Sequence, residues 1–229
     1  MIEIIPAILP KSFADLEIKL GLVREATRAV QVDVVDGVYA PSKTWPYADR
    51  EAFEEIVRQE RGMPFWEDID FEFDCMIAHP QKEIEEYIAA GATRVVVHGA
   101  GQGIVEVLEK LQPSRAGDLG VKVGIALLPG DEAGVYAQYA ALCNFVQVMG
   151  IVQVGFQGHS FDARAIDLIT SLRELYPELT IQVDGGVTTE NARALAAAGA
   201  NRLVVGSAIF GSDDPAQAIA ALSREANRK

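Results

Sequence analysis

Cysteine, histidine and tryptophan are scarce in this chain, at two, three and two among 229 residues. Cys75 and Cys143 stand far apart, each inside an apolar run, and no zinc-site spacing is present. They read as reduced core thiols, and a disulfide-stapled fold is excluded. Basic residues are also in short supply, 20 Lys and Arg against 33 Asp and Glu, for a formal charge of −13. That balance argues against a nucleic-acid partner, which is normally met by a basic patch or stripe. It leaves room for an anionic small molecule, because backbone N–H groups can make one site locally positive. No apolar run is long enough to cross a bilayer, and no basic-then-apolar leader is seen. No membrane partner, no organic cofactor and a cytoplasmic location are expected. Low-complexity segments and linkers are missing too, so residues 1–229 are read as one domain.

What the chain does hold is a repeating pattern. Short apolar runs with strand character fall at 2–8, 30–35, 71–77, 93–98, 121–128, 144–149, 179–184 and 201–206. Amphipathic stretches separate most of them. In ARAIDLITSLRELY, Ile166, Ile169, Leu172 and Leu175 recur every three residues and predict one buried stripe. Strand–helix alternation implies a parallel sheet covered by helices, and eight units in this length imply a closed (β/α)₈ TIM barrel. An internal echo agrees: AAGATRVVVHG at 89–99 resembles AAGANRLVVGS at 197–207, each a helix end, a glycine suited to a left-handed cap, then a strand. The stretch 38–68 reads as a loop, a short helix over 49–60 and a second loop.

The run VQVDVVD at 30–36 places Gln31, Asp33 and Val35 on one strand face. A carboxylate on a buried strand face is costly unless it is paired, bonded or bound to metal. In a barrel of this kind the working residues gather at the C-terminal strand ends. Strand two supplies Gln31, Asp33 and Asp36 there. Strand three supplies Glu72, Asp74 and Met76 on the parity opposite to Phe71, Phe73 and Cys75, strand four ends at His98, and strand seven ends at Asp184. One such residue alone is more often a loop anchor; several converging carboxylates with an imidazole point to a site.

Glycine loops form a second group. GFQGHSF (155–161), DGG (184–186) and GSAIF (206–210) follow strands six, seven and eight. Gly155, Gly158, Gly185, Gly186, Gly206 and Ser207 would let backbone N–H groups close on an anion, and the loops after strands seven and eight are the usual phosphate site of this barrel. Any one loop taken singly reads rather as an ordinary turn; three at neighbouring strand ends favour an anion site.

These motifs together resemble the ribulose-phosphate 3-epimerases over essentially the whole chain. PAILPKSFADL (6–16) is similar to the family's opening strand, VDVVDGVYAPSKTWP (32–46) to its strand-two signature, DCMIAHP (74–80) to its strand-three motif, and GFQG, DGG and GSAIF to its phosphate loops. The resemblance implies a phosphorylated sugar as partner, homo-oligomerisation, and proton transfer at C3 of a ketose phosphate by two carboxylates, whose positions are held by Asp33 and Asp184. It also implies a metal centre that stabilises the enediolate. The family's two histidine ligands are replaced here by Gln31 and Asp74. With Asp33 and Asp184 they would form an oxygen-only set, better suited to Mg²⁺, Mn²⁺ or Ca²⁺ than to Zn²⁺. The alternative is a metal-free site in which crowding keeps one carboxyl neutral and able to donate.

Other positions depart from the family pattern. Ala7 and Pro10 replace serines, Leu128 replaces an Asn, and Gln153 and Val154 replace Asn-Pro. His98 matches a family histidine and is weighed between a structural and a catalytic role. His159, which replaces a Gln, could donate to phosphate, while Gln31, Asp74, Met76, His98 and His159 are all expected to line the substrate. Trp45 and Tyr47 are placed either over the site or against a neighbouring subunit. Two further readings remain: a decarboxylase or aldolase on the same barrel, disfavoured because strands two and three carry no lysine, and a binding protein without turnover, disfavoured because both aspartates are kept.

Overall fold

The computed structural model describes residues 1–99, 102–111, 120–156 and 158–228. Eight parallel strands close into a barrel in sequence order. They are β1 (Glu3–Ile8), β2 (Ala29–Val35), β3 (Asp70–Met76), β4 (Ala92–Val97), β5 (Lys122–Leu127), β6 (Phe145–Met149), β7 (Thr180–Asp184) and β8 (Arg202–Val205). The helices are α1 (Phe13–Val23), α2 (Glu51–Val57), α3 (Pro80–Ala89), α4 (Gln102–Lys110), α5 (Arg164–Leu175), α6 (Thr189–Ala198), α7 (Ser207–Phe210) and α8 (Pro215–Ala226), with a 3₁₀ helix (Ala133–Gln138) after β5. Local chemistry sets several boundaries. The Ser12 hydroxyl caps α1 by accepting from Asp15 N, and Thr188 caps α6 in a capping box with Asn191. Helix α6 stops at Gly199 with φ +119°, and the echoed Gly91 takes φ +95°, as the repeated AAGA motif predicts.

Strand alternation divides the molecule into two layers. Val30, Val32 and Val34 of β2, with Phe71, Phe73 and Cys75 of β3, point outward and share one core with the helices. The inward faces are different: their apolar residues fall into three small clusters, around Phe145 and Met149, around Ile5 and Val204, and around Val35 and Met76. Between those clusters lie Gln31, Asp33, Glu72, Asp74, Gln147, Gln182 and Asp184, all buried. Both cysteines are free and buried, as expected. No helix among the described residues is long and apolar enough to cross a membrane.

Two expectations need correction. On α5 the buried stripe is Ala165, Leu168, Ile169 and Leu172, while Leu175 is exposed. A strict three-residue step drifts around the helix, and the nine residues from Ile166 to Leu175 make about two and a half turns, so the two ends face apart. Trp45 is neither a cover for the site nor a surface residue. It is fully buried, edge-on to Phe53 at 5.4 Å and tilted against Phe13 at 5.8 Å. Tyr47 packs on the same core, donating to Glu83 and placed 3.3 Å from the Tyr87 hydroxyl. The loop after β2 is therefore anchored outward, between β2 and helices α2 and α3.

Candidate active site

The register of β2 and β3 sets Asp33 beside Asp74, and the closed barrel brings Asp184 of β7 to the same level. Ligand-capable oxygens of Asp33, Asp74 and Asp184 lie within 4.8 Å of one another. Gln31, two residues before Asp33 on the same inward face, joins two of them. Its Nε2 donates to Asp33 Oδ1 at 2.9 Å and to Asp184 Oδ2 at 3.1 Å. Asp74 has a separate partner, His98 Nε2, 2.5 Å from its Oδ1, and the His98 ring meets the edge of Tyr39 at 5.9 Å.

Crowding changes the acidity of this group. Burial raises Asp33 well above the usual carboxylate range, and the neighbouring Asp184 and Asp74 charges raise it further. Asp184 is pushed up to about 7, first by burial and then by Asp74, with the Gln31 hydrogen bond and His98 acting in the opposite sense. Two carboxylates in contact with one amide share their protons and titrate as a unit. Near neutral pH the pair can hold one proton and offer one ionised oxygen. That is the state an acid–base pair requires.

One cavity at the C-terminal mouth is lined by Asp33, Asp184, Met76 and His159 together with Gly155, Gly158, Gly185, Gly186, Gly206 and Ser207. All six residues expected in the glycine loops thus border the same space as the two acids. Gln157 of GFQG lies outside the described residues. At Gly186 the backbone takes φ +66°, and a Cβ would come within 2.8 Å of the Phe161 Cα, so only glycine lets the two loops touch. The loop after β2 reaches this region through Ser42, whose hydroxyl donates to Gly155 O. Thr44 ties that loop back to β2, accepting from Val35 N at 2.9 Å and donating to Asp33 O at 2.9 Å.

Not every expected residue takes its expected place. Gln31, Asp74 and His98 are buried and do not line the cavity. Asp36 is a loop anchor, accepting from Val38 N, Tyr39 N and Ala78 N. Glu72 sits deeper in the barrel and pairs with Arg94 Nε at 2.7 Å. The convergent set is three aspartates and His98, without Asp36 or Glu72. Sequence reasoning missed Leu9, Ile151, Phe156, Val187 and Val204, which give the cavity its apolar walls. It also missed Gln147 and Gln182. A signal existed: VQVD in β2, VQVM in β6 and IQVD in β7 each put a glutamine two residues before a strand-end residue, on the inward face.

The residues present fit the implied metal centre only in part. The three aspartates could hold an ion, and Asp74 Oδ2 is buried with no hydrogen-bond partner among the described residues. Gln31 does not complete the set, because it turns its N–H end, which is not a ligand, toward the two acids.

A closed parallel (β/α)₈ barrel with inward carboxylates at the C-terminal mouth has the architecture of a TIM-barrel enzyme. The chain belongs to the ribulose-phosphate 3-epimerase family, whose sequence model, described as "Ribulose-phosphate 3 epimerase family", matches residues 3–210. It is 32% identical over 219 residues to "Ribulose-5-phosphate-3-epimerase, chloroplastic" of Arabidopsis thaliana, covering 93% of this chain and 73% of that protein. It is 30% identical over 223 residues to a ribulose-phosphate 3-epimerase of Schizosaccharomyces pombe, covering 96% and 92%. The fold is shared with a solved 3-hexulose-6-phosphate synthase from Salmonella typhimurium, at TM-score 0.69 and 18% identity, with 98% of each chain covered.

Proposed function

We propose that this chain is a carbohydrate-phosphate epimerase that moves a proton at the carbon beside a ketone, with Asp33 and Asp184 as the acid–base pair. The observation that carries this reading is the pair itself: two buried carboxylates, bridged by one amide donor, at the head of a cavity ringed by glycine loops. The phosphate of the substrate rests on the loops at Gly155, Gly158, Gly185, Gly186, Gly206 and Ser207, with His159 at their edge. The ketose backbone then extends toward Asp33 and Asp184, past Met76.

In the forward direction the ionised aspartate takes the proton from C3. The C–H electron pair becomes the C2–C3 double bond, and the carbonyl pair moves onto the C2 oxygen. The neutral aspartate returns a proton to C3 from the other side, the double-bond pair forms the new C–H bond, and the carbonyl is restored. The reverse reaction exchanges the two roles. An ion reaching Asp33, Asp74 and Asp184 would meet only oxygen, a set for Mg²⁺ or Mn²⁺ rather than Zn²⁺. Gln31, whose N–H end faces the two acids, bars the fourth position.

No lysine lines the cavity among the described residues, which supports proton transfer over decarboxylase or aldolase chemistry. A binding protein would have no use for two buried acids held at this separation. The reading includes residues 1–229 acting as one barrel unit, self-association of identical chains and a cytoplasmic setting, the first two open to scattering and sedimentation-velocity measurement of the purified protein. The direct test is proton NMR of D-ribulose 5-phosphate with the protein in D₂O. Loss of the C3 signal with appearance of xylulose 5-phosphate is expected; an unchanged spectrum at saturating substrate overturns this substrate assignment.

A further inference from the structure

Which end of the Gln31 amide faces the acids is decided lower in the barrel. Glu72 is fully buried and held by Arg94, and as a carboxylate it can only accept. Gln182 answers it with its nitrogen, Nε2 donating to Glu72 Oε1 at 2.6 Å. The same nitrogen stands 2.7 Å from Gln147 Oε1 and 3.3 Å from Gln31 Oε1. Both of those glutamines therefore turn their oxygens toward Gln182 and their N–H groups the other way. Gln147 Nε2 is left 3.5 Å from Asp184 Oδ2, and Gln31 Nε2 bridges Asp33 and Asp184. An amide NH₂ carries two hydrogens, so the short bonds to Glu72 and Gln147 are the firm ones, the longer contact to Gln31 Oε1 shares one of them, and Gln182 Oε1 has no hydrogen-bond partner among the described residues.

Turning Gln31 over, as a metal ligand must, would set its NH₂ against the NH₂ of Gln182. It would also set its oxygen against the ionised member of the Asp33–Asp184 pair. In a buried interior an unmet donor or acceptor costs about 1–3 kcal/mol, and here several would be created together. Gln182 cannot follow by turning itself, because its oxygen would then face Glu72 and Gln147 Oε1. The network is locked in one sense.

We propose that the Gln31 amide, oriented by Gln182 and Glu72, does in this chain what a divalent ion would otherwise do in joining Asp33 to Asp184, and that the site binds and needs no such ion. Gln182 is a positioning residue, acting through Gln31. The claim about need rests on the epimerase reading; the claim about binding does not.

The experiment is a calorimetric titration of the chelator-treated full-length protein with Mn²⁺, Mg²⁺ and Zn²⁺, run beside the D₂O exchange assay. Wild type is expected to take up no stoichiometric ion, and its exchange rate is expected to change by less than about twofold on chelation. Gln31→Glu, which keeps the shape but replaces donor with acceptor, is expected to bind one Mn²⁺ per chain. Gln182→Leu, which frees Gln31 to turn over, is expected to gain at least about tenfold in Mn²⁺ affinity over wild type, a change that a merely structural role would not produce. One equivalent of ion on wild type that is lost in Asp74→Asn overturns the proposal. So does a rate loss above about tenfold on chelation. A folded Gln31→Glu that binds nothing also overturns it, since the amide would then not be what keeps the ion out. Should Gln31→Glu fail to fold, the wild-type titration still decides. Absence of turnover on every substrate tried defeats the epimerase reading, while the titrations judge the amide bridge separately.

Discussion

His98 and Asp74 meet across adjacent strands with Nε2 2.5 Å from Oδ1, and both side chains are almost completely shielded from solvent. Their positions follow from the β3–β4 pairing, which sets Asp74 beside Val96 and leaves His98 two residues further along the same face. Among the described residues the second oxygen of Asp74 has no hydrogen-bond partner, and His98 is the partner of the first.

Removing that partner should be costly. His98→Ala is expected to lower unfolding free energy by about 1–3 kcal/mol, because it leaves a buried carboxyl group without its hydrogen-bond partner. His98→Gln, which keeps a donor, should lose less. Urea unfolding of the two variants at pH 7 checks the order, and equal stability of both would show that the pairing contributes nothing.

The raised pKa of Asp184 makes stability depend on pH in a definite direction. Its folded value, about 7, lies above the ordinary carboxylate value, so the folded protein holds a proton that the unfolded chain has released. The contribution is fully present below the unfolded value near 3.8 and is lost as pH rises through about 7. Wild type should therefore unfold at lower urea at pH 8 than at pH 5.5, and Asp184→Asn should flatten that difference. A wild-type midpoint that rises over this range would contradict the assignment.

The same group sets the acid limb of activity. As pH falls through about 7 the pair gains its second proton and loses its base, so kcat/KM should decline. Asp33→Asn and Asp184→Asn should each reduce C3 proton exchange by about 10²–10⁴-fold while leaving inorganic phosphate affinity close to wild type. Unequal roles appear as a primary isotope effect that differs between the two directions of reaction; unchanged activity in either variant removes it from the pair.

At Gly186 the prediction concerns binding. Alanine there must adopt φ +66° and place its Cβ 2.8 Å from the Phe161 Cα, separating the β6 and β7 loops. Gly186→Ala should raise KM for the phosphorylated substrate and cost about 1–3 kcal/mol in stability. Steady-state kinetics beside thermal unfolding separate the two effects, and an unaltered KM would place the phosphate elsewhere.

Trp45 offers a contrast. Trp45→Ala is expected to cost about 3–5 kcal/mol through the cavity left between Phe13 and Phe53. Because the ring faces the helix layer, KM for the variant at a temperature where it stays folded should match wild type. A large rise in KM would return Trp45 to the site.

Alternation and turn chemistry are local, so the sequence alone determined much of this molecule. Eight apolar runs marked eight strands within one or two residues. The repeated AAGA segments marked left-handed glycines, and parity separated Glu72 and Asp74 from Phe71, Phe73 and Cys75. The glycine motifs were legible for the same reason, since a positive φ or a close approach leaves few residue choices at one position. What the sequence could not decide was depth and direction. Asp36 follows the last residue of β2 on the parity opposite to Asp33, and it ends as a loop anchor because the N–H groups of Val38, Tyr39 and Ala78 come to it in the folded chain. Leu175 matched its stripe in spacing and faced solvent, because the helix continued to turn beneath it. The Gln31 side chain looked like an oxygen ligand until Gln182, 151 residues away, set which end of its amide faces the acids. That choice rests on hydrogen-bond partners supplied by β3, β6 and β7, and only closing the barrel brings them together.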